Sequence, residues 1–403
     1  MEDHVTRALV GLDEYRILDA YEDGIGVLVV TVEVPRAEAP CPHCGTFSGR
    51  VKQRSLQRIR DGLSFERPTV LVWRKRRFRC DTPGCVQSFT ESTAQVPRRA
   101  RLTTRLRGAI GRAGKTRSTA QVAAAFGVGW ATAWRTIAAA ATAQIAARPP
   151  SAPARLGLDE TTFRRPQHFA TGLVDLSTGR LWDLVEGRSK TVVVERLSRL
   201  DTAGLAAIGD VVIDPFAGYR AAVRELVPHA RRTADRFHIV RLANAVVTDV
   251  RCRRQQEMTG HRGRKGDPFY RARRDLLRGR ERLTDRQAAR LETAFAADVT
   301  EQLWAAWIAK EGIRDLYRHA DRAGAERFLD AWMTAFARCG IAELERLAAT
   351  IGRWRSEILN YFDSRLTNGP TEGRNLIIKS VKRSGHGFRN FDNYRLRVLY
   401  RCS

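Results

Sequence analysis

The chain has 403 residues, with 70 Lys+Arg against 44 Asp+Glu and a formal net charge of +26. At 43% hydrophobic and 28% charged residues the composition is that of a folded globular protein, which excludes wholesale disorder, and no window approaches the ~18 uninterrupted apolar residues of a membrane span. The acidic start, Met1-Glu2-Asp3-His4, has no apolar h-region, so the expected location is the cytoplasm, and the excess of positive charge calls for a polyanion, nucleic acid first, as partner.

In chain order, residues 26–34 read as a strand from their β-branched content, and 68–79 read as another. Residues 97–117 hold eight Arg/Lys and no acid. An Ala-rich helical region follows from 118 to about 147, and it ends in Arg148-Pro149-Pro150-Ser151-Ala152-Pro153, the clearest linker in the chain. Beyond it strands alternate with helices. Residues 156–159 form a short apolar strand, 169–176 and 181–185 a hairpin, 191–200 a helix and 211–214 a buried-type strand; 217–226 and 239–254 suit helices. From about 265 to 360 only amphipathic helical spacing appears, and a turn at Asn368 opens a last helical run over 371–382. The expected domains are 25–95, 96–147, a linker at 148–155, then 156–262, an all-helical 263–360, and 361–403.

Seven cysteines fall at 41, 44, 80, 85, 252, 339 and 402, an odd count that argues against a disulfide framework. Cys41-Pro-His-Cys44 and Cys80-Asp-Thr-Pro-Gly-Cys85 are two knuckles, each after a strand-like segment, as in a zinc ribbon. Zinc favours such a four-thiolate shell, and four protein ligands leave no open position, so the role is structural. His43 could replace a cysteine, although four sulfurs suffice. Eleven Arg/Lys against four acids between 40 and 95 suggest that the ribbon also touches phosphate.

Ser118 caps a first helix that ends at Phe126; Gly127-Val128-Gly129 is a turn; Trp130 starts a second helix. A Gly-containing turn and small residues at the crossing suit a helix-turn-helix, and the basic run before it favours DNA over a plain helical hairpin. Gln121, Trp130, Thr132, Ala133 and Arg135 are the residues expected to face DNA. Basic residues at 251–280 and in the tail are further candidates for phosphate. Phe388, Phe391 and Tyr394 could stack on bases, with packing of the last helix the preferred reading.

Among 44 acids, context selects three. Asp159 and Asp214 end the buried-type strands Leu-Gly-Leu-Asp and Val-Val-Ile-Asp, where an acid is costly unless paired or bound to metal. Glu372 follows the turn Asn368-Gly-Pro-Thr and opens a helix. Two strand-end acids and a helical Glu can hold two Mg²⁺ or Mn²⁺ ions about 4 Å apart for in-line attack on a phosphodiester. Glu160 and Asp363 are rival carboxylates, and His238 is either part of the site or a core histidine.

These residues together resemble a family. The two knuckles, the helix-turn-helix at 118–137, Leu158-Asp159-Glu160, Val212-Ile213-Asp214-Pro215, Asp235-Arg-Phe-His238 and Asn368-Gly-Pro-Thr-Glu372-Gly-Arg-Asn375 are similar, in that order, to insertion-sequence transposases of the ISL-three type with an Asp-Asp-Glu active site. The resemblance implies a multidomain α+β protein. Its parts are a zinc ribbon, a helix-turn-helix, and a ribonuclease-H-like α/β catalytic domain split by an all-helical insertion between the second Asp and the Glu. It implies Asp159, Asp214 and Glu372 as catalytic, and Asp235 and His238 as an auxiliary element. It further implies binding of terminal inverted repeats and target DNA, and metal-dependent cleavage and strand transfer without a covalent protein–DNA intermediate. A dimer or higher oligomer on DNA, associated with the nucleoid, is expected. A zinc-ribbon regulator with a dead catalytic domain and a plain nuclease are the rivals; the intact Asp159, Asp214 and Glu372 argue against the first.

Overall fold

A computed structural model describes residues 11–402 except 12, 65, 149–150 and 165–166, so the acidic start and the two linker prolines at 149 and 150 lie outside the described residues. The described residues up to 148 and 381–401 form one compact unit; the described residues from 151 to 380, with 402, form the other. The chain is a mixed α+β protein with a cysteine cluster near its N-terminus and a helical C-terminal region. None of the described helices is long and apolar enough to cross a membrane.

The first unit begins with β1 (Arg16–Glu22), β2 (Leu28–Glu33), β3 (Ala39–Pro40), β4 (Phe47–Ser48), β5 (Val51–Ser64), β6 (Arg67–Arg79) and β7 (Ser88–Thr90). Its main sheet has the order β1-β2-β6-β5, with β7 also on β6, and β3 pairs β4. β6 alternates buried Thr69, Leu71, Trp73 and Lys75 with more exposed neighbours, the period of a one-sided strand. Leu71 and Trp73 meet Tyr15, Val30, Val32, Ile59 and Val96 in the core. β5 carries no such apolar alternation. Residues 52–56 and Arg58 are exposed, and the strand is held by antiparallel pairing along β6. Glu91 ties the far end of β6 down, accepting from the Arg76 backbone N–H at 2.7 Å and from its guanidinium at 2.8 and 3.1 Å.

Three helices follow: α1 (Thr104–Gly114), α2 (Thr119–Ala125) and α3 (Trp130–Ala146). Ser118 and Gln121 form a capping box at the start of α2, each side chain bonding the other's backbone N–H. α1 and α3 cross closely enough that a Cβ on Gly114 would lie 2.6 Å from Ile137 and one on Gly111 2.7 Å from Ala140. The last helix of the chain (Phe391–Arg401) completes this unit, where Tyr400 joins Leu106, Ile110, Val122 and Ile137 and donates to the Gly111 carbonyl at 2.8 Å. Ala133 corrects the sequence reading: it is fully buried in this cluster and has no surface to offer DNA.

The second unit holds β8 (Arg155–Arg164), β9 (His168–Asp175), β10 (Arg180–Glu186), β11 (Asp210–Ile213) and β12 (Arg231–Ala234) in the order β10-β9-β8-β11-β12. β8, β9 and β10 are antiparallel neighbours, whereas β11 runs parallel to both β8 and β12. Residues 156–159 and 211–213 are buried on both faces, as their uninterrupted apolar spelling requires. Helices α4 (Lys190–Leu197), α5 (Thr202–Ala206) and α6 (Ala217–Leu226) connect the strands. α7 (Arg236–Thr259) then runs 24 residues and stops at Gly260, whose φ of +69° gives the left-handed cap that glycine tolerates best.

From α8 (Pro268–Ala272) through α9 (Asp285–Ala296), α10 (Gln302–Leu316), α11 (Arg322–Phe336), α12 (Ala342–Arg353) and α13 (Arg355–Ser364), the described chain has helices and loops and no strand. This helical region shares one continuous core with the sheet, from Leu158 and Ile213 through Val247 to Ile313 and Ile358. Residue 361 lies inside α13, which packs on β12 and gives it a bond from Asn360 Nδ2 to the Arg232 carbonyl at 2.7 Å. α14 (Gly369–Ser384) begins in this unit.

Candidate active site and metal centre

The four knuckle sulfurs converge. Sγ of Cys41 is 3.7 Å from that of Cys85, Cys44 Sγ is 3.5 Å from Cys80 Sγ, and all four lie within 4.8 Å of one another. Zn–S bonds of about 2.3 Å in a tetrahedron set neighbouring sulfurs about 3.8 Å apart, so the cluster already has the dimensions of a structural zinc site. Gly45 and Gly84 make the turns, at φ of +76° and +83°. The amide and side chain of Thr46 draw the Cys44 thiol down to about 6, which favours the thiolate that binds metal. His43 is outside the cluster.

In the second unit, parallel register aligns three acids. Leu158 pairs with Ile213 and Ile213 with Ala234, so Asp159, Asp214 and Asp235 are each the next residue at the same level of adjacent strands. All three are buried, as is His238 one turn into α7. Asp159, Asp214 and His238 bring a ligand atom each within 4.8 Å of one another, and His238 Nδ1 is 3.0 Å from Asp214 Oδ2. Burial and the neighbouring Asp159 carboxylate push Asp214 up to about 9. Burial raises Asp159 as well, lifts Asp235 to about 6, and holds the His238 imidazole down at about 4. The His238–Asp214 contact therefore joins two neutral groups at neutral pH in the metal-free protein. So many acids cannot ionise side by side in a desolvated pocket without a cation.

Several buried polar atoms here lack a hydrogen-bond partner among the described residues: Asp214 Oδ1, Asp235 Oδ2 and Asn375 Oδ1, and the close contact of His238 Nδ1 with Asp214 lacks hydrogen-bond geometry. Buried polar atoms are normally satisfied. Oxygen donors with one imidazole, unsatisfied and converging, suit a hard divalent ion.

Glu372 is exposed on the first turn of α14 and stands outside the Asp159–Asp214–His238 cluster. It lines the same open groove of about 450 Å³ as Asp159, His238, Arg241, Asn375 and Lys379. α14 is fastened over β8 by hydrogen bonds. Asn368 Nδ2 donates to the Leu158 carbonyl at 3.1 Å, its backbone N–H donates to Asp235 Oδ1 at 3.2 Å, and Asn375 Nδ2 donates to Asp159 Oδ2 at 2.6 Å. Asp235 thus anchors the loop into α14, whereas His238 sits in the cluster itself. Of the rivals, Asp363 is ion-paired to Arg322, and the Glu160 carboxylate bonds Arg188 at 3.1 Å. Arg241 was missed by sequence reasoning. Three residues after His238 it shares that helical face, and its charge acts on Asp159, Asp214 and His238.

In the first unit, Gln121, Trp130 and Arg135 are exposed and Thr132 half-buried. The Gln121 Oε1 accepts from the Ser118 N–H and so serves the helix cap.

Two family models match the chain: an ISL3-type DDE domain described as a transposase over residues 156–398, and the zinc-finger of transposase IS204/IS1001/IS1096/IS1165 over 37–85. The chain is 27% identical over 365 residues to the transposase for insertion sequence element IS1001 of Bordetella parapertussis, spanning 89% of this chain and 87% of that one. It is 30% identical over 256 residues to the transposase for insertion sequence element IS1557 of Mycobacterium tuberculosis, spanning 59% and 57%.

Proposed function

The chain belongs to the ISL3 family of DDE transposases, and on that premise we propose that Asp159, Asp214 and Glu372 are its catalytic carboxylates, acting on DNA phosphodiesters with two Mg²⁺ or Mn²⁺ ions. The observation that carries this reading is the convergence of the buried Asp159 and Asp214 carboxylates, with Asp214 Oδ1 unsatisfied, at the groove that Asp159 and Glu372 both line. The sheet order β10-β9-β8-β11-β12, antiparallel on one side and parallel on the other, supports a ribonuclease-H-like catalytic domain with the helical region inserted between β12 and α14.

Bound there, the ions would supply Lewis acidity toward an attacking hydroxyl and a leaving 3′-oxygen. The protein's own groups do the rest. Asp159 and Asp214 offer anionic oxygens from a rigid sheet. His238, kept neutral by burial, offers a lone pair or holds Asp214 in place. Asp235 and Asn368 position α14, and with it Glu372. Arg241 and Lys379 give the groove positive charge for the DNA backbone. The described residues lining the groove include no Ser, Thr, Tyr or Cys, which supports strand transfer without a covalent protein–DNA intermediate.

The Cys₄ ribbon, the basic hairpin of β5 and β6, and α2–α3 acting as a helix-turn-helix bind the terminal inverted repeats, with Trp130, Thr132 and Arg135 toward the bases. Joining two ends requires two catalytic sites, so the working assembly is at least a dimer on DNA, in the cytoplasm with the nucleoid. The test is an in vitro reaction of the zinc-loaded protein with labelled element-end DNA, target DNA and Mg²⁺ or Mn²⁺. Cut ends joined to target support the reading. Cleavage without joining makes the protein a nuclease, and binding without either makes it a regulator.

A further inference from the structure

The first unit carries a cavity that the catalytic reading does not use. It is about 340 Å³, mostly apolar, and walled by Trp130 and Trp134 of α3 and by Phe388, with Arg389, Asn393 and Arg397 at its polar side. The two indoles lie nearly parallel, 22° apart with centroids 6.3 Å apart, and Trp130 is 57% exposed. The opposite wall is set by the loop Gly385-His386-Gly387. His386 and Gly387 take positive φ, and a Cβ on Gly385 would lie 2.6 Å from the Phe388 ring, so this backbone is shaped to place that ring.

Arg397 makes the cavity more than an apolar gap. Its residue is only 6% exposed, and burial depresses its pKa. Nη2 donates to the Arg117 carbonyl at 2.6 Å, but Nη1 has no partner among the described residues, and no carboxylate there pairs with it. A buried guanidinium with an unused donor, next to aromatic walls, is an unfavourable arrangement for an empty pocket and a favourable one for a planar, acceptor-bearing ring. Nucleobases combine a flat π-face with carbonyl and ring-nitrogen acceptors. Phosphate would meet too little polar surface.

We propose that this cavity receives a single unstacked nucleobase of bound DNA, stacked on the Trp130–Trp134 side and hydrogen-bonded by Arg397. The inference rests on the reading of this unit as the DNA-binding unit. The geometry favours an extrahelical base over a paired one, because a base within a duplex cannot enter a pocket. Base-on-aromatic stacking tolerates sequence, so the site would act on DNA structure rather than on base identity.

The test uses the full zinc-loaded chain and two labelled duplexes of the same sequence, one fully paired and one with a single extrahelical thymine. Anisotropy gives both affinities, and quenching of tryptophan fluorescence reports occupancy. Wild type is expected to prefer the extrahelical duplex by about tenfold, with quenching. Trp134→Ala and Arg397→Met, on opposite walls, are expected to bring the preference close to one, and Trp134→Ala to keep paired-duplex affinity, which also reports that the unit has folded. Equal binding of both duplexes by wild type overturns the proposal and leaves the DNA-binding reading intact. Absence of binding to either duplex overturns both. A preference unchanged in both variants places the unpaired base elsewhere.

Discussion

Gly157 lies two residues before Asp159, on the same face of β8, beneath the start of α14. A Cβ added there would sit 2.6 Å from Asn368 Oδ1, 2.6 Å from Thr371 Oγ1 and 2.7 Å from Leu176 Cδ2, all contacts that a real Cβ does not make. Asn368 and Thr371 are fully buried or nearly so and bonded to each other at 2.6 Å, so they cannot swing aside. Gly157→Ala must therefore lift the Asn368 loop from β8. Overpacking costs about 1–3 kcal/mol, and straining one of the Asn368 hydrogen bonds adds about 1 kcal/mol, for a loss of about 2–4 kcal/mol. For a unit of this size that lowers melting by roughly 5–15 °C. Displacing α14 also moves Glu372 relative to Asp159, so strand transfer should fall about 100-fold while end binding is kept. Gly172 is the control. It pairs with Asp159 across β8–β9, but its added Cβ would meet Leu181, Asp159 and Ile378 at 3.8–3.9 Å, ordinary contact. Gly172→Ala should be neutral or mildly stabilising. Calorimetry with the joining assay decides; a Gly157→Ala protein as stable and active as wild type, or a Gly172→Ala protein equally damaged, refutes the fastening of α14 as the positioning element.

Elemental analysis should find one zinc per chain, and Cys80→Ser should lose it and unfold the ribbon; an intact, zinc-free ribbon would contradict the Cys₄ site. Arg135→Ala should weaken binding to the cognate end more than to random DNA, by about 1–3 kcal/mol of discrimination, whereas a uniform loss would make Arg135 a backbone contact. The metal-free second unit should lose stability between pH 7 and 9. Asp214, raised to about 9, is protonated in the fold and ionised in the unfolded chain over that window, so the folded state holds the extra proton and rising pH removes it. Mn²⁺ or Mg²⁺ should reverse this loss, and a melting temperature flat from pH 7 to 9 without metal would count against the buried carboxylate pair.

The spacing of the two Cys knuckles and the apolar runs ending in Asp159 and Asp214 were legible because each is a local pattern: close thiols, or an acid where burial demands a partner. β5 was not. Its sequence is mostly polar and its strand state comes from partner β6, a non-local cause that composition does not record. Ala133 looked like part of a reading face, yet helical spacing alone did not say which face the close α1–α3 crossing would bury. The destination of the tail was also invisible. Residues 381–401 pack with the N-terminal unit through Tyr400 and Gly111, a contact across 289 positions. Asn368, Asn375 and Arg241 act by hydrogen bonds and charge across elements, so only the folded arrangement singles them out.

The most direct test of the account is the joining reaction run with Asp159→Asn, Asp214→Asn, Glu372→Gln and Asp363→Asn. Each change keeps shape and removes a negative charge. The first three should abolish cleavage and joining while end binding survives or rises slightly, since one anion near the DNA is gone. Asp363→Asn, which breaks the ion pair with Arg322, should stay active. Joining that persists in Asp159→Asn or Asp214→Asn would contradict the metal-site reading, and an active Glu372→Gln beside a dead Asp363→Asn would move the third carboxylate to α13.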